Sequence, residues 1–124
     1  MFKSIALMKR KPGLSREHFI DYYENHHVPL IRSLLPEVCG YRRNFIDWEG
    51  AFVGPDAVVP EYDVITELWY ADRAAYDSAM ARHAQPEIGD RIRDDERKFL
   101  DSASVCMFIV DERVSDFTDA ETSA

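Results

Sequence analysis

Four segments of strand length, Phe2–Arg10, Val38–Trp48, Asp63–Tyr70 and Ser104–Val110, are separated by stretches with helical spacing, and this order leaves few architectures open. The alternation is clearest in Asp63–Tyr70, where Val64, Thr66, Leu68 and Tyr70 share one side and Ile65, Glu67 and Trp69 the other. Ser104–Val110 is apolar without interruption, which predicts a strand inside a sheet. The first helical stretch follows Lys11-Pro12-Gly13 and opens at Ser15, an N-cap, with Glu17 in its first turn. Phe19, Tyr22, Tyr23, His26 and Leu30 then recur at helical spacing. Asp72 caps a second helix over Arg73–Arg82, with Ala75, Tyr76, Ala79 and Met80 facing inward. A third, Pro86–Leu100, buries Ile88, Ile92 and Phe99 and leaves Asp94-Asp95-Glu96 as a solvated face.

The order β-α-β-β-α-β, with one extra helix, predicts an α+β fold. The expected arrangement is ferredoxin-like, a βαββαβ antiparallel sheet with helices on one face. The other face needs a cover, and a homodimer supplies one. Residues 1–112 form this domain, and 113–124 an acidic C-terminal tail. Between the second and third strands, Glu49–Tyr62 carries Gly50, Gly54, Pro55 and Pro60 and reads as a long loop. Its Phe52, Val53, Val58 and Val59 predict that it packs down and covers a pocket.

Composition narrows the partners. A hydrophobic fraction of 46% supplies a core, and a net charge of −8 argues against both nucleic acid and anionic lipid. No apolar run is long enough to span a membrane, and Met1 leads straight into a strand with no room for a signal peptide, so the expected location is cytoplasmic. Cys39 and Cys106 lie in predicted strands and are expected to be small buried residues. Neither belongs to a metal-ligand pattern, and no phosphate loop or nucleophile triad is present, so no cofactor and no metal is expected. Small molecules or other proteins remain.

The chemistry concentrates in Tyr22-Tyr23-Glu24-Asn25-His26-His27-Val28-Pro29-Leu30. Pro29 cannot donate to the carbonyl of Asn25, so the helix should kink or end near His27. Histidine transfers protons near neutral pH, and Tyr23 lies four residues before His27, on the same helical side. Periodicity alone places His26 nearer the apolar stripe; which of the two faces a pocket stays open at this point. Glu67 is the best carboxylate candidate, because burial would raise its pKa and let it act as acid or base or orient His27. Arg43 can hold a carboxylate or an enolate, or pair with Glu67. Trp69, Tyr23 and Tyr41 are candidates to line a pocket for a flat ligand. His18 and His83 sit among charges and read as surface residues.

Three stretches also carry a family resemblance: Ala6-Leu7-Met8-Lys9-Arg10-Lys11-Pro12-Gly13-Leu14-Ser15 with Phe19, then His27-Val28-Pro29-Leu30, then Thr66-Glu67-Leu68-Trp69-Tyr70. Phe99-Leu100-Asp101 fits as well. Over roughly residues 2–110 the chain resembles the EthD family of the dimeric α/β-barrel superfamily. The resemblance implies a dimer with one pocket per subunit between sheet and helices, and His27 matches the family's His-x-Pro-Leu histidine. Similar proteins include lactone isomerases, polyketide dehydratases or cyclases, cofactor-independent monooxygenases and accessory proteins of degradation pathways. The first expectation is therefore a cofactor-free lyase, isomerase or dehydratase acting on an oxygenated aromatic, lactone or polyketide-like catabolite. His27 would work with Tyr23 or Glu67, with His26, Arg43, Trp69 and Tyr41 around the substrate. The alternatives are a non-catalytic metabolite-binding or accessory protein and a cofactor-free monooxygenase.

Overall fold

The computed structural model describes residues 1–117. Strands β1 (Phe2–Arg10), β2 (Val38–Phe45), β3 (Val64–Tyr70) and β4 (Leu100–Ile109) form one antiparallel sheet in the order β2-β3-β1-β4. Helices α1 (Arg16–Tyr22) and α2 (Val28–Leu34) are joined by a π-helical turn, Tyr23–His27, and α3 (Arg73–His83) is followed by α4 (Pro86–Glu96). This is the ferredoxin-like α+β arrangement. The helices cover the face that carries Ser4, Ala6 and Met8 of β1 and Val64, Thr66 and Tyr70 of β3, all buried. Ser15 caps α1 by accepting from the amide of His18, and Asp72 caps α3 by accepting from that of Ala75.

The core divides in two. Phe19, Tyr23, Val28, Met8, Val64 and Phe99 form one cluster, and Ile31, Leu35 and Ile92 the other. Phe99 lies at the junction of α4 and β4, with its ring 5.8 Å from Phe19 and 5.2 Å from both Tyr22 and Tyr23.

Several expectations need correction. β4 is an edge strand rather than an inner one, and its Val105, Met107, Phe108 and Ile109 are exposed. It begins at Leu100, not Ser104, because α4 ends early and Leu100 and Asp101 pair with Arg10 and Lys9. Residues 102–105 then bulge opposite Met8 alone. Ser104 holds the bulge: its Oγ accepts from the Lys9 amide at 2.8 Å and donates to the Asp101 carbonyl at 2.6 Å. Cys39 and Cys106 lie in strands but are exposed free thiols, because β2 and β4 are the two edges. The loop after β2 does not pack down either, since Phe52 and Val58 are almost fully exposed; its ends are tied by the Trp48 Nε1–H to the Tyr62 carbonyl and by Glu61 to Lys9 at 2.9 Å. Of the tail expected over 113–124, residues 113–117 are exposed and the rest lies outside the described residues.

No helix covers the opposite face of the sheet, where Ile5 pairs with Phe108 and Leu7 with Ile65 and Cys106. Among the described residues, no helix is long and apolar enough to cross a membrane.

Gly89 marks the tightest approach in the helical layer, where an added Cβ would collide with the backbone carbonyl of His83. That carbonyl cannot rotate away, so Gly89→Ala should cost roughly 1–3 kcal/mol in urea unfolding. Gly54→Ala, where the Cβ would meet only Ala57 at 3.9 Å, should leave the midpoint unchanged.

Candidate active site

Pro29 shapes the site. With no N–H to offer Asn25, the chain widens by one residue instead of stopping: the Val28 amide donates to the Tyr23 carbonyl, and Pro29 falls in the first turn of α2, where no donor is needed. Phe19, Tyr23, His27, Ile31 and Leu35 are buried at a strict spacing of four. In an uninterrupted α-helix such a row drifts about 40° per step. The π turn absorbs part of that drift, and it decides between the neighbouring histidines. His27 is 4% exposed, whereas His26 is exposed and stacks on the Tyr22 ring at 4.6 Å.

A cavity of about 360 Å³ lies between the sheet and α2, α3 and α4. Ala6, Met8, Ile31, Leu35, Leu68 and Ile92 give it a largely apolar wall, into which His27, Tyr23, Tyr41, Thr66 and Tyr70 are set. Residues Ser102 and Val105 of the β4 bulge also line it.

His27 Nδ1 is 2.9 Å from Asp95 Oδ2, and the Tyr22 hydroxyl donates to Asp95 Oδ1 at 2.5 Å. An ionised Asp95 only accepts, so Nδ1 carries the proton and Nε2, at the other edge of the ring, is left with its lone pair. Burial pushes the His27 pKa down, and the bond and charge of Asp95 offset this only in part. The helix does not end near His27 but continues into α2, so no helix C-terminus acts on the imidazole. A neutral, oriented imidazole on an apolar cavity has the protonation state and geometry that general-base chemistry needs.

The predicted partners of His27 lie elsewhere. The Tyr23 ring packs edge-on against the imidazole at 5.5 Å, but its hydroxyl pairs with Thr66 Oγ1 at 2.7 Å and accepts from the Tyr41 hydroxyl at 3.2 Å. Burial raises Tyr23 to about 12 and Tyr41 well above its ordinary value, so both remain neutral hydroxyls. Glu67 and Trp69 project from the opposite face of the sheet and do not line the cavity. Glu67 lies 2.5 Å from Lys3 Nζ, which also contacts Glu112 at 2.7 Å and sits 4.5 Å over the Trp69 ring. The expected rise in the Glu67 pKa is reversed, because Lys3 holds the carboxyl below its usual range. Arg43 grips Glu24 with two hydrogen bonds, at 2.8 and 2.7 Å, and is absent from the cavity wall.

The EthD domain model matches residues 11–103. The chain belongs to the EthD family. An EthD family protein from Bacillus halodurans has a similar structure, with a TM-score of 0.60, 21% identity and coverage of 91% of this chain and 100% of that one. A protein from Arabidopsis thaliana has a TM-score of 0.61 at 15% identity, covering 94% and 100%. The hydroxynitrile lyase of Passiflora edulis reaches 0.50 at 15% identity, covering 92% and 96%. No curated protein matches the chain in sequence.

In this EthD protein sequence reasoning missed two carboxylates of α4, Glu96 on the cavity wall and Asp95 bonded to His27. Asp95 and Glu96 were assigned to a solvated face, yet Asp95 follows Ile92 by three positions and Glu96 by four, within the stripe Ile88, Ile92, Phe99. That spacing was the available signal. Thr66 lay on the face of β3 opposite the chosen Glu67. His83, read as a surface residue, lines the cavity, and burial lowers its pKa.

The His27 and Glu96 shifts oppose each other in stability. His27 has a folded pKa below its unfolded 6.5, so the unfolded chain binds more protons and stability falls as pH drops below about 6.5. Burial raises Glu96 to about 7, so its contribution is present below 4.5 and lost as pH rises through 7. Both effects act largely between pH 4.5 and 7, so urea unfolding at pH 5 and 6.5 should show His27→Gln reducing the gain in stability from pH 5 to pH 6.5 and Glu96→Gln enlarging it.

Proposed function

We propose that the protein is a cofactor-independent enzyme that moves a proton next to a carbonyl group in a small, apolar, oxygenated molecule, as in isomerisation, dehydration or lyase cleavage. The observation that carries this reading is the hydrogen bond of His27 Nδ1 to a carboxylate, with the imidazole on the wall of an apolar cavity. His27 Nε2 removes and returns the proton. Asp95 fixes the tautomer and stabilises the imidazolium that forms, and the Tyr22 hydroxyl fixes Asp95. The neutral Tyr23 hydroxyl, accepting from Tyr41 and from Thr66, has its own proton to offer to a substrate oxygen. These roles replace those expected for Glu67 and Arg43, whose charges are satisfied by Lys3 and Glu24. A hydroxynitrile lyase among the structures of similar fold supports a reaction of this size on such a scaffold.

The assembly we infer is a homodimer, the second copy covering the helix-free sheet face with its Ile5, Ile65 and Phe108. A reducing cytoplasm suits the two exposed, unpaired cysteines. A second reading, a metabolite carrier, draws on the predominantly apolar lining.

Proton NMR in D₂O, following α-proton exchange across a panel of lactones and enolisable aromatic ketones, separates the two. The enzyme reading expects catalysed exchange that His27→Gln abolishes and Asp95→Asn lowers roughly 10²-fold. Tight binding of panel members with no exchange beyond buffer would overturn it in favour of the carrier.

A further inference from the structure

Glu96 lines the same cavity as His27, on the α4 turn that also presents Asp95. It is half-buried and takes no hydrogen bond or ion pair among the described residues, unlike the carboxylates near it. Asp95 is held by His27 and Tyr22, and Asp90 and Asp94 engage Arg93 and Arg97, each at 2.6 Å. The two arginines that reach the cavity are therefore committed elsewhere on the helix. A carboxyl on the cavity lining without a side-chain partner is available to bond whatever fills the cavity.

We propose that Glu96, in its protonated form, donates a hydrogen bond and then its proton to the carbonyl oxygen of the substrate whose neighbouring carbon is deprotonated by His27. This rests on the acid/base reading of His27 and narrows the substrate to compact ketones that can enolise. In the step, His27 Nε2 takes the proton from the carbon next to the ketone, and the C–H pair becomes a carbon–carbon double bond. The carbonyl π pair takes the Glu96 proton, giving the neutral enol, an imidazolium and a carboxylate. Proton return from His27 to carbon, at the same or a conjugated position, and from the enol oxygen to Glu96 restores both groups and releases ketone.

The protonation state fits. Burial holds Glu96 at about 7, with the neighbouring Asp95 pushing the same way and Arg93 against it. The other titratable groups on the wall do not change charge on the alkaline side of neutrality. Burial lowers His27 and His83 and raises Tyr23, Tyr41 and Tyr70.

The test uses 2-tetralone, whose carbonyl oxygen accepts hydrogen bonds and donates none, with the full chain. Its dissociation constant should weaken about tenfold from pH 6 to pH 8 as Glu96 ionises, and Glu96→Gln, whose amide still donates, should flatten this dependence. In the wild type, the ¹³C carboxyl signal of Glu96 should titrate near neutrality and move upward in pH when 2-tetralone saturates the site. Lack of binding, pH-independent binding, or an unchanged Glu96 titration in the complex would each overturn the proposal. Exchange of the 2-tetralone α-protons in D₂O addresses His27 separately. Loss in His27→Gln with the pH dependence of binding retained supports both readings. No exchange by the wild type with that dependence retained defeats the acid/base reading of His27 and leaves Glu96 as a ligand-binding donor, not an acid catalyst.

Discussion

A single missing N–H organises the helical layer. Pro29 denies Asn25 its α-helical partner, and its ring would meet that carbonyl if the helix ran on unchanged. The chain answers with a π turn closed between Tyr23 and Val28, which keeps α1 and α2 continuous and turns a four-residue row inward. Tyr23 and His27 are both buried because of it, and His26 is turned out. Once His27 is inside, it needs a polar partner, since an unpaired imidazole N–H in a core of Phe19, Tyr23 and Phe99 would carry its full desolvation cost. Asp95 meets that need from α4. The site is thus a consequence of how two helical segments are tied across the sheet.

The order of elements along the chain and the helix starts were legible because they rest on local signals: alternation, caps at Ser15 and Asp72, and the break at Pro12-Gly13. Burial of the two faces was not. In β3 the division into Val64, Thr66, Leu68, Tyr70 and Ile65, Glu67, Trp69 was right, but both sets are rich in apolar residues, so parity did not say which faced the helices. Glu67 was chosen from the wrong side, where Lys3 and Glu112 make it an ion-pair member. β4 failed for a related reason. A strand apolar on both sides reads as central, yet this one is an edge, with Val105 and Met107 lining the cavity and Phe108 and Ile109 exposed.

His27 was reached through the family resemblance, since helical phase alone favoured His26, whereas Asp95 was hidden in the run Asp94-Asp95-Glu96, which composition assigns to solvent. Helical phase carried the missing information, since a carboxylate three residues beyond the buried Ile92 lies at the edge of the apolar stripe. Charge runs on amphipathic helices deserve residue-by-residue phasing, because the members at the boundary are the ones that reach into a core.

The site and the core are the same set of atoms. Phe99 packs 4.8 Å from His27 and against Phe19, Tyr22 and Tyr23, so the ring that closes the core also strips water from the imidazole. Desolvation depresses the His27 pKa, and Asp95, itself steadied by a tyrosine hydroxyl rather than a cation, restores part of it. A cation in place of Tyr22 would neutralise Asp95 and weaken its hold on the imidazolium; a phenol leaves the charge intact. The same burial acts with opposite sign on Glu96, favouring its protonated form. One apolar cavity therefore favours a neutral imidazole at His27 and a protonated carboxyl at Glu96, the combination that the proposed proton transfer between carbon and oxygen requires.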